Sequence, residues 1–201
     1  LLTIAMVIAM LGVNTASFIA RCTCLTDGSL YQKEKELNEN VDDRDAFQRV
    51  NDEDAVLMLN YGYVADVPVI ANWTHSLNSK HLKSFSDLGF NTDFTYMTGV
   101  GGTAFSEALL RVTDTVSEFE LHKELYDKYF VSDLGMNYYK NRFVLPVGVV
   151  FSDDIKNVDA DNFGNTFDYQ EAIYNSLTGQ KGLFEYVCDN NPDKKVVKDK
   201  F

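Results

Sequence analysis

The first twenty residues, Leu1–Ala20, carry no charged side chain, and the first thirteen of them are almost wholly apolar. A helix of about twenty residues is roughly 30 Å long, which matches the hydrocarbon thickness of a bilayer. The polar residues Asn14, Thr15 and Ser17 come near the end of the segment. Such residues in a membrane helix face other helices or the interface. The segment therefore predicts a transmembrane helix, truncated at its start.

Two other interpretations of this segment are weaker. A secretory signal peptide begins with Met and a basic stretch, whereas this chain opens with Leu1-Leu2 and has no basic start. A helix buried in a globular core is also conceivable, but the apolar run is long for one. The missing Met leads us to expect that the chain continues upstream.

The charges after the apolar segment indicate which side of the membrane the remainder of the chain occupies. Acidic and basic residues are mixed after Arg21, and the sequence becomes acidic at Asp42, Asp43 and Asp45. Cytoplasmic loops usually carry an excess of Lys and Arg. No second apolar segment of this length follows, so we expect residues 21–201 to lie together outside the cytoplasm.

The composition predicts a folded domain and excludes one class of partner. Hydrophobic residues make up 45% of the chain and aromatic residues 13%, which is enough for a core. The 18 basic and 30 acidic residues give a net charge of −12. Because such a field repels phosphate backbones, we expect no binding of nucleic acid.

The hydrophobic pattern predicts an α+β fold, a mixed sheet with short helices, preceded by the transmembrane helix. Residues 55–63 fit either a strand or a helix broken at Gly62, residues 112–116 are ambiguous, and residues 118–129 are predicted to be helical in part. The predicted helices are Ser79–Leu88, Ala104–Arg111 and Thr166–Leu177, and the predicted strands are Asp45–Asn51, Val67–Ala71, Asn137–Lys140 and Phe143–Phe151.

Four regions follow from these patterns. Residues 1–20 are the transmembrane helix, and residues 21–44 are a juxtamembrane stalk that includes a polar stretch with the composition of a short exposed helix. Residues 45–187 form the extracytoplasmic α+β domain. Residues 188–201 are a charged tail or the start of a further subdomain.

Four aromatic residues that lie near one another in sequence are candidates for substrate binding: Tyr61, Tyr63, Trp73 and His75. Aromatic faces beside polar groups stack on sugars, although such residues are more often core material. Trp73 is the only Trp in the chain and is the first candidate for a binding role.

The sequence predicts no metal site. Asn157, Asp159, Asp161 and Asp168 have the spacing of a calcium loop, but Asn stands at positions one and six and Asp at position twelve, so a solvated acidic loop is favoured. His75, His81 and His122 have no metal-ligand spacing. No nucleophile elbow or phosphate loop is present, and no catalytic residue is predicted.

Several segments, in order along residues 12–184, resemble the YfhO-type family of bacterial multi-pass membrane proteins. The most distinctive resembles a motif with Asn followed by Leu-Pro. The matching segments are Gly12–Thr15, Asp45–Val50, Trp73–Ser76, Phe85–Gly89, Gly101–Leu110, Tyr139–Gly148, Tyr169-Gln170 and Asn175–Gly179. The chain departs from the family pattern at Thr113-Asp114, and residues from Cys188 onward match nothing in it.

This resemblance implies a GT-C-like glycosyltransferase of the bacterial cell membrane. Such enzymes take a sugar from a polyprenyl-phosphate carrier at the outer face, and this family is associated with glycosylating cell-wall polymers such as lipoteichoic acid. The implied partners are the lipid-linked sugar, the polymer acceptor and the lipid bilayer, and a divalent cation is a conceivable cofactor. The catalytic carboxylate of GT-C enzymes lies on an early outer loop, so no catalytic residue is carried over to this chain.

One alternative stays open from the sequence. The domain could be a membrane-tethered recognition or scaffolding ectodomain without catalysis. About ten further apolar spans and an acidic residue in an early outer loop would favour the transferase, whereas one upstream span would favour the alternative.

Overall fold

The computed structural model describes residues 28–41, 47–57, 59–188 and 195–199. The helices are α1 (Gly28–Asn40), α2 (Tyr61–Ala65), α3 (Ser79–Asp87), α4 (Ala104–Leu109) and α5 (Thr166–Thr178). The strands are β1 (Arg49–Asp52), β2 (Asn72–Trp73), β3 (Tyr96–Met97), β4 (Val112–Ser117), β5 (Tyr126–Val131), β6 (Asn137–Asn141), β7 (Phe184–Cys188) and β8 (Lys195–Asp199). Two short 3-10 helices, Asp153–Asn157 and Ala160–Asn162, precede α5.

Four strands form the central sheet, in the order β1-β4-β6-β5. β1 runs parallel to β4, whereas β4 and β5 both run antiparallel to β6. The parallel pair is joined by a long crossover that contains α2, β2, α3, β3 and α4. The β2–β3 and β7–β8 pairs form separate antiparallel ribbons. The predicted α+β class with a mixed sheet and short helices is therefore confirmed.

Two main hydrophobic clusters hold these elements together. The first joins the sheet to α1 and α2, with Leu37, Val50 and Tyr138 almost completely buried in it. The second lies around Phe105 on α4 and Ile173 on α5 and includes the start of β7. Burying an aliphatic or aromatic side chain of this kind stabilises the fold by about 1.5–3 kcal/mol.

The polar stretch predicted as a stalk or short exposed helix forms α1. The helix is confirmed, but full exposure is wrong for its inner face, where Leu37 and Glu34 are buried. Lys33 also forms an ion pair of 2.7 Å with Glu118, which follows β4. One inward Leu in a polar helix gives too weak a periodic signal to predict this packing.

The structure tests the other predicted elements of the chain. The three predicted helices are confirmed as α3, α4 and α5, and strands are confirmed at Arg49–Asp52 and Asn137–Asn141. The predicted strand at 143–151 is wrong, since these residues form neither a helix nor a strand. The predicted partial helix at 118–129 is also wrong, since residues 118–125 form bends and a turn and residues 126–129 belong to β5. Within 67–71 only Val69 makes a bridge, to Val50.

The sequence predicts a break at Gly62, but this glycine lies inside α2. A Cβ atom at this position would lie 2.7 Å from Val69 Cγ2 and 2.8 Å from the carbonyl oxygen of Val67. Glycine is required here because α2 approaches the following segment closely, not because the chain turns.

Gln170, whose side chain is buried, connects α5 to the crossover through two partly buried hydrogen bonds. Thr103 Oγ1 donates to Gln170 Oε1 at 2.5 Å, and Gln170 Nε2 donates to the Leu88 carbonyl at 3.0 Å. Beside this contact, a Cβ atom on Gly101 would lie 2.7 Å from the carbonyl oxygen of Gly89. The segments that carry the family resemblance therefore meet in space.

The predicted transmembrane helix, residues 1–20, lies outside the described residues, as do residues 21–27 and 42–44 of the predicted stalk and residues 45 and 46 of the predicted domain. The longest described helices, α1 and α5, have 13 residues each. None of the helices in the described ranges is long and apolar enough to cross a bilayer. In the predicted tail, residues 195–199 form β8 and pair with β7, a ribbon that the sequence did not predict.

Candidate functional site

An exposed aromatic surface lies on the β2–β3 ribbon. Trp73 pairs across the ribbon with Tyr96, so the two side chains lie on the same face. Trp73 is 46% exposed, and the ring of His75 contacts it edge-on with a centroid distance of 5.1 Å. Phe94, in the connection before β3, is also exposed. Large aromatic side chains are thus presented to solvent by a small ribbon.

Asn60 fixes this ribbon to the start of α2. Its Nδ2 donates to the carbonyl oxygen of Trp73 at 3.1 Å, and the Trp73 amide donates to Asn60 Oδ1 at 2.9 Å. The side chain therefore makes two hydrogen bonds to one backbone residue. This clamp holds Trp73 next to α2, on which Tyr63 is 83% exposed.

An open groove with a volume of about 230 Å³ lies between α2 and the segment that leads into β2. Tyr63, Asn60 and Asn72 supply its polar groups, and Val67, Pro68, Val69 and Ala71 supply its apolar wall. We call this groove, together with the adjoining Trp73 and His75, the aromatic groove. Apolar ring faces combined with a few amide groups are suited to a ligand that has both C–H faces and hydroxyl groups.

The structure separates the four candidate binding residues. Tyr63, Trp73 and His75 are exposed on the aromatic groove. Tyr61 is only 1% exposed, and its hydroxyl donates to the Val50 carbonyl at 3.1 Å. Burial also raises the pKa of Tyr61 well above its ordinary value. The interpretation of Tyr61 as a binding residue is corrected on this ground, since its side chain is part of the core.

A second polar cluster, which sequence reasoning missed, surrounds Glu107 on α4. Glu107 is 2% exposed and accepts hydrogen bonds from Asn51 Nδ2 at 2.7 Å, Tyr126 Oη at 2.9 Å and Asn141 Nδ2 at 3.0 Å. Thr115 Oγ1 donates to Asn141 Oδ1 at 2.7 Å. Asn141 belongs to the distinctive Leu-Pro motif, so the structure gives that Asn a role in orienting a buried carboxyl group. We call these residues, with Glu53, the buried carboxyl cluster.

Two acidic residues at the end of β1 have strongly shifted pKa values. Burial, followed by the neighbouring charge of Glu107, raises the pKa of Glu53 to about 8. Burial likewise raises the pKa of Asp52 to about 6, although the Leu57 amide donates to its Oδ2 at 2.7 Å and opposes that shift. At neutral pH Glu53 is therefore protonated and Asp52 is largely ionised.

The sequence contains one weak indication of this cluster. Glu107 is the one charged residue in the otherwise apolar or small helix α4, which follows the glycine-rich loop. Charged residues are rarely buried unless they are paired or hydrogen-bonded. Its partners come from β1, β5 and β6, and no local pattern connects them.

The acidic loop with calcium-like spacing makes contacts within itself and one ion pair with α3. Asp159 Oδ1 accepts from the Asp161 amide, Asp161 pairs with Lys83 at 3.0 Å, and Asp168 accepts from Asn165 Nδ2. In the part of the chain that the structure describes, no group of three or more His, Cys, Asp and Glu side chains could hold a metal ion. The described residues thus do not fit the divalent cation that the resemblance allows.

The fold and site define a mixed α+β domain that combines an exposed aromatic groove with a buried carboxyl cluster. A family model described as bacterial membrane protein YfhO matches residues 2–200, and the chain belongs to this family. The resemblance drawn from the motifs is thereby confirmed, and the match includes the segment predicted to cross the membrane. Neither a curated protein nor a solved structure matches the chain.

Proposed function

We propose that this chain is the extracytoplasmic part of a membrane glycosyltransferase that transfers sugar from a polyprenyl-phosphate carrier to a cell-wall polymer such as lipoteichoic acid. Within it, the aromatic groove holds the acceptor polymer beside the membrane. The observation that carries the proposal is the groove lined by Tyr63, with the exposed rings of Trp73 and His75 beside it. Family membership and the uncharged segment Leu1–Ala20 support a membrane location.

The chemistry of the groove favours neutral sugar units as its ligand. An aromatic ring packs against the C–H face of a sugar, and nearby amides bond to its hydroxyl groups. The net charge of −12 repels the anionic groups of such a polymer, so the proposal assigns the contact to its neutral sugar units alone. The groove therefore has a positioning role in the proposal and no catalytic role.

A binding experiment tests this role. Isolated cell-wall polymer is titrated into the 201-residue chain in detergent micelles, and binding is followed by calorimetry. Trp73→Ala is expected to weaken binding about tenfold, since loss of one stacked aromatic face costs roughly 1.4 kcal/mol. Phe119→Ala removes an aromatic side chain that is 67% exposed after β4 and is expected to bind as the unaltered chain does.

The outcomes separate the possible functions. Equal binding by Trp73→Ala and the unaltered chain would remove Trp73 from the site. Absence of polymer binding would overturn the positioning role altogether. Polymer binding by a complete protein that transfers no sugar would favour the recognition or scaffolding ectodomain.

A further inference from the structure

The two residues of β2 point to opposite sides of the ribbon. Successive side chains of a β-strand lie on opposite faces, so Asn72 and Trp73 face away from each other. Asn72 pairs with Met97, which is 7% exposed, and this face of the ribbon is therefore turned inward. Trp73 pairs with Tyr96 on the outer face. Since Asn72 lines the groove, Trp73 lies on the other side of β2 from it.

Two separate surfaces result, and each suits one sugar unit. On the inner side, the Asn72 amide and the Tyr63 ring stand beside the apolar wall of the groove. On the outer side, Trp73 is 46% exposed and contacts the ring of His75, with Tyr96 on the same face. We call Trp73, His75 and Tyr96 the ribbon face. Each surface combines an aromatic ring with groups that form hydrogen bonds, as the recognition of a sugar requires.

Asn60 connects the two surfaces. Its side chain lines the groove and also makes two hydrogen bonds, of 3.1 and 2.9 Å, to the backbone of Trp73. Because both bonds go to the backbone, the Trp73 ring stays available to a ligand. The groove and the ribbon face are thus adjacent and held at a fixed separation, with the backbone of β2 and the Asn60 side chain between them.

We infer that the groove and the ribbon face are two subsites that hold separate sugar units of one polymer chain. The inference rests on the proposed function, and it narrows the ligand from sugars in general to flexible chains of several units. A ligand must bend around β2 and the Asn60 side chain to reach both subsites, so a single unit occupies one subsite at a time. Each residue that lines the groove in the described part of the chain is uncharged, which fits neutral units.

Simultaneous contact with both subsites should raise the affinity for the polymer. Once one unit is bound, the chain that links it to the next unit keeps that unit at a high effective concentration beside the other subsite. We expect the polymer to bind at least about tenfold more tightly than a single repeat unit. Removal of the Trp73 ring should abolish most of this gain and leave the binding of a single unit in the groove unchanged.

Side-chain NMR signals report on the two subsites separately in the ¹⁵N-labelled 201-residue chain in detergent micelles. The Asn72 amide reports on the groove and the Trp73 indole on the ribbon face, and Trp73 is the only Trp. The probes are isolated cell-wall polymer and single repeat units cut from the same preparation. In Trp73→Ala, single units are expected to shift the Asn72 signal with unchanged affinity, and the polymer about tenfold more weakly. Phe119→Ala is the control and should match the unaltered chain with both probes.

The converse variant completes the test. Tyr63→Ala, at a side chain that is 83% exposed, should leave the shift of the Trp73 indole by single units unchanged and weaken its shift by the polymer. Equal weakening of both probes in Trp73→Ala, or a polymer that shifts only one of the two signals, would overturn the two subsites while the proposed function stands. Binding of neither probe to the unaltered chain would overturn the proposed function and the subsites together.

Discussion

The aromatic groove and the buried carboxyl cluster are built in opposite ways. The groove takes its side chains from residues 60–75, presents its aromatic rings to solvent and depends on one amide clamp. The cluster takes its residues from β1, α4, β5 and β6 and removes Glu107 almost completely from solvent. Substitutions in the groove should therefore change binding with little effect on folding, and substitutions in the cluster should do the reverse.

Glu107→Ala is the strongest test of this contrast. We expect it to lower the free energy of unfolding by about 3 kcal/mol or more, because each buried donor left without an acceptor costs roughly 1–3 kcal/mol. Urea denaturation at pH 6.5 measures the change. The free energy of unfolding of Trp73→Ala should stay within about 1 kcal/mol of that of the unaltered chain, since Trp73 is 46% exposed. Equal losses of unfolding free energy in Glu107→Ala and Trp73→Ala would contradict this contrast between the cluster and the groove.

Gly99→Ala tests the packing of the cluster without touching a charged group. A Cβ atom at this position would lie 1.4 Å from Asn51 Oδ1, so Asn51 must move and lose its bond to Glu107. We expect a loss of about 2–4 kcal/mol in thermal or chemical unfolding. Gly148→Ala meets no atom within 4 Å and serves as the matched control, expected within about 0.5 kcal/mol of the unaltered chain.

The stability of the chain should depend on pH through the same cluster. The pKa of Glu53 is higher in the folded state than in the unfolded state, so the folded state holds a proton that the unfolded state has lost. The free energy of unfolding should consequently fall between about pH 5 and pH 8, by at most about 1.4 kcal/mol per pH unit for this group. Glu53→Gln should flatten the slope, measured as the urea midpoint against pH. A slope unchanged in that variant would assign the effect to other groups.

Asn60→Ala should produce a small change in stability and a clear change in binding. Its two hydrogen bonds to Trp73 contribute about 1 kcal/mol to folding at an exposed site. We expect polymer affinity to fall several-fold, because Trp73 is then free to move. Asn60→Asp keeps the hydrogen-bond acceptor and loses the donor. Its affinity for the polymer should therefore lie between that of Asn60→Ala and that of the unaltered chain. An unchanged affinity in Asn60→Ala would show that the clamp is not needed.

The sequence predicts local features of this fold better than long-range ones. The helix at α3 follows from the stripe of Leu82, Phe85 and Leu88, and Asn78 caps it by accepting from the Lys80 amide. β5 escapes prediction because it is an edge strand whose side chains are mostly exposed. The apolar run at 143–151 resembles a strand, but the Leu145 amide donates to the Ala108 carbonyl on α4. The hydrophobic pattern alone cannot distinguish an apolar segment that forms a strand from an irregular one that packs against a helix.

The same limit applies to the candidate site. Trp73 and His75 are candidates because they are neighbours in sequence, and Tyr61, whose side chain is buried in the core, is included for the same reason. Asn51 and Asn141 are brought together by the parallel pairing of β1 with β4 and the antiparallel pairing of β4 with β6. Glu107 meets them from α4. Side-chain clusters that depend on strand order are not visible to an argument from spacing.

The most direct test of the central claim is a saturation-transfer NMR measurement between the aromatic groove and the acceptor polymer. Irradiation of aromatic protons in the chain is predicted to saturate the C–H protons of the polymer's sugar units, and Trp73→Ala is predicted to remove most of this transfer while Phe119→Ala keeps it. Transfer that is absent, or that is equally strong in Trp73→Ala, would contradict the account of the groove as a sugar-binding surface.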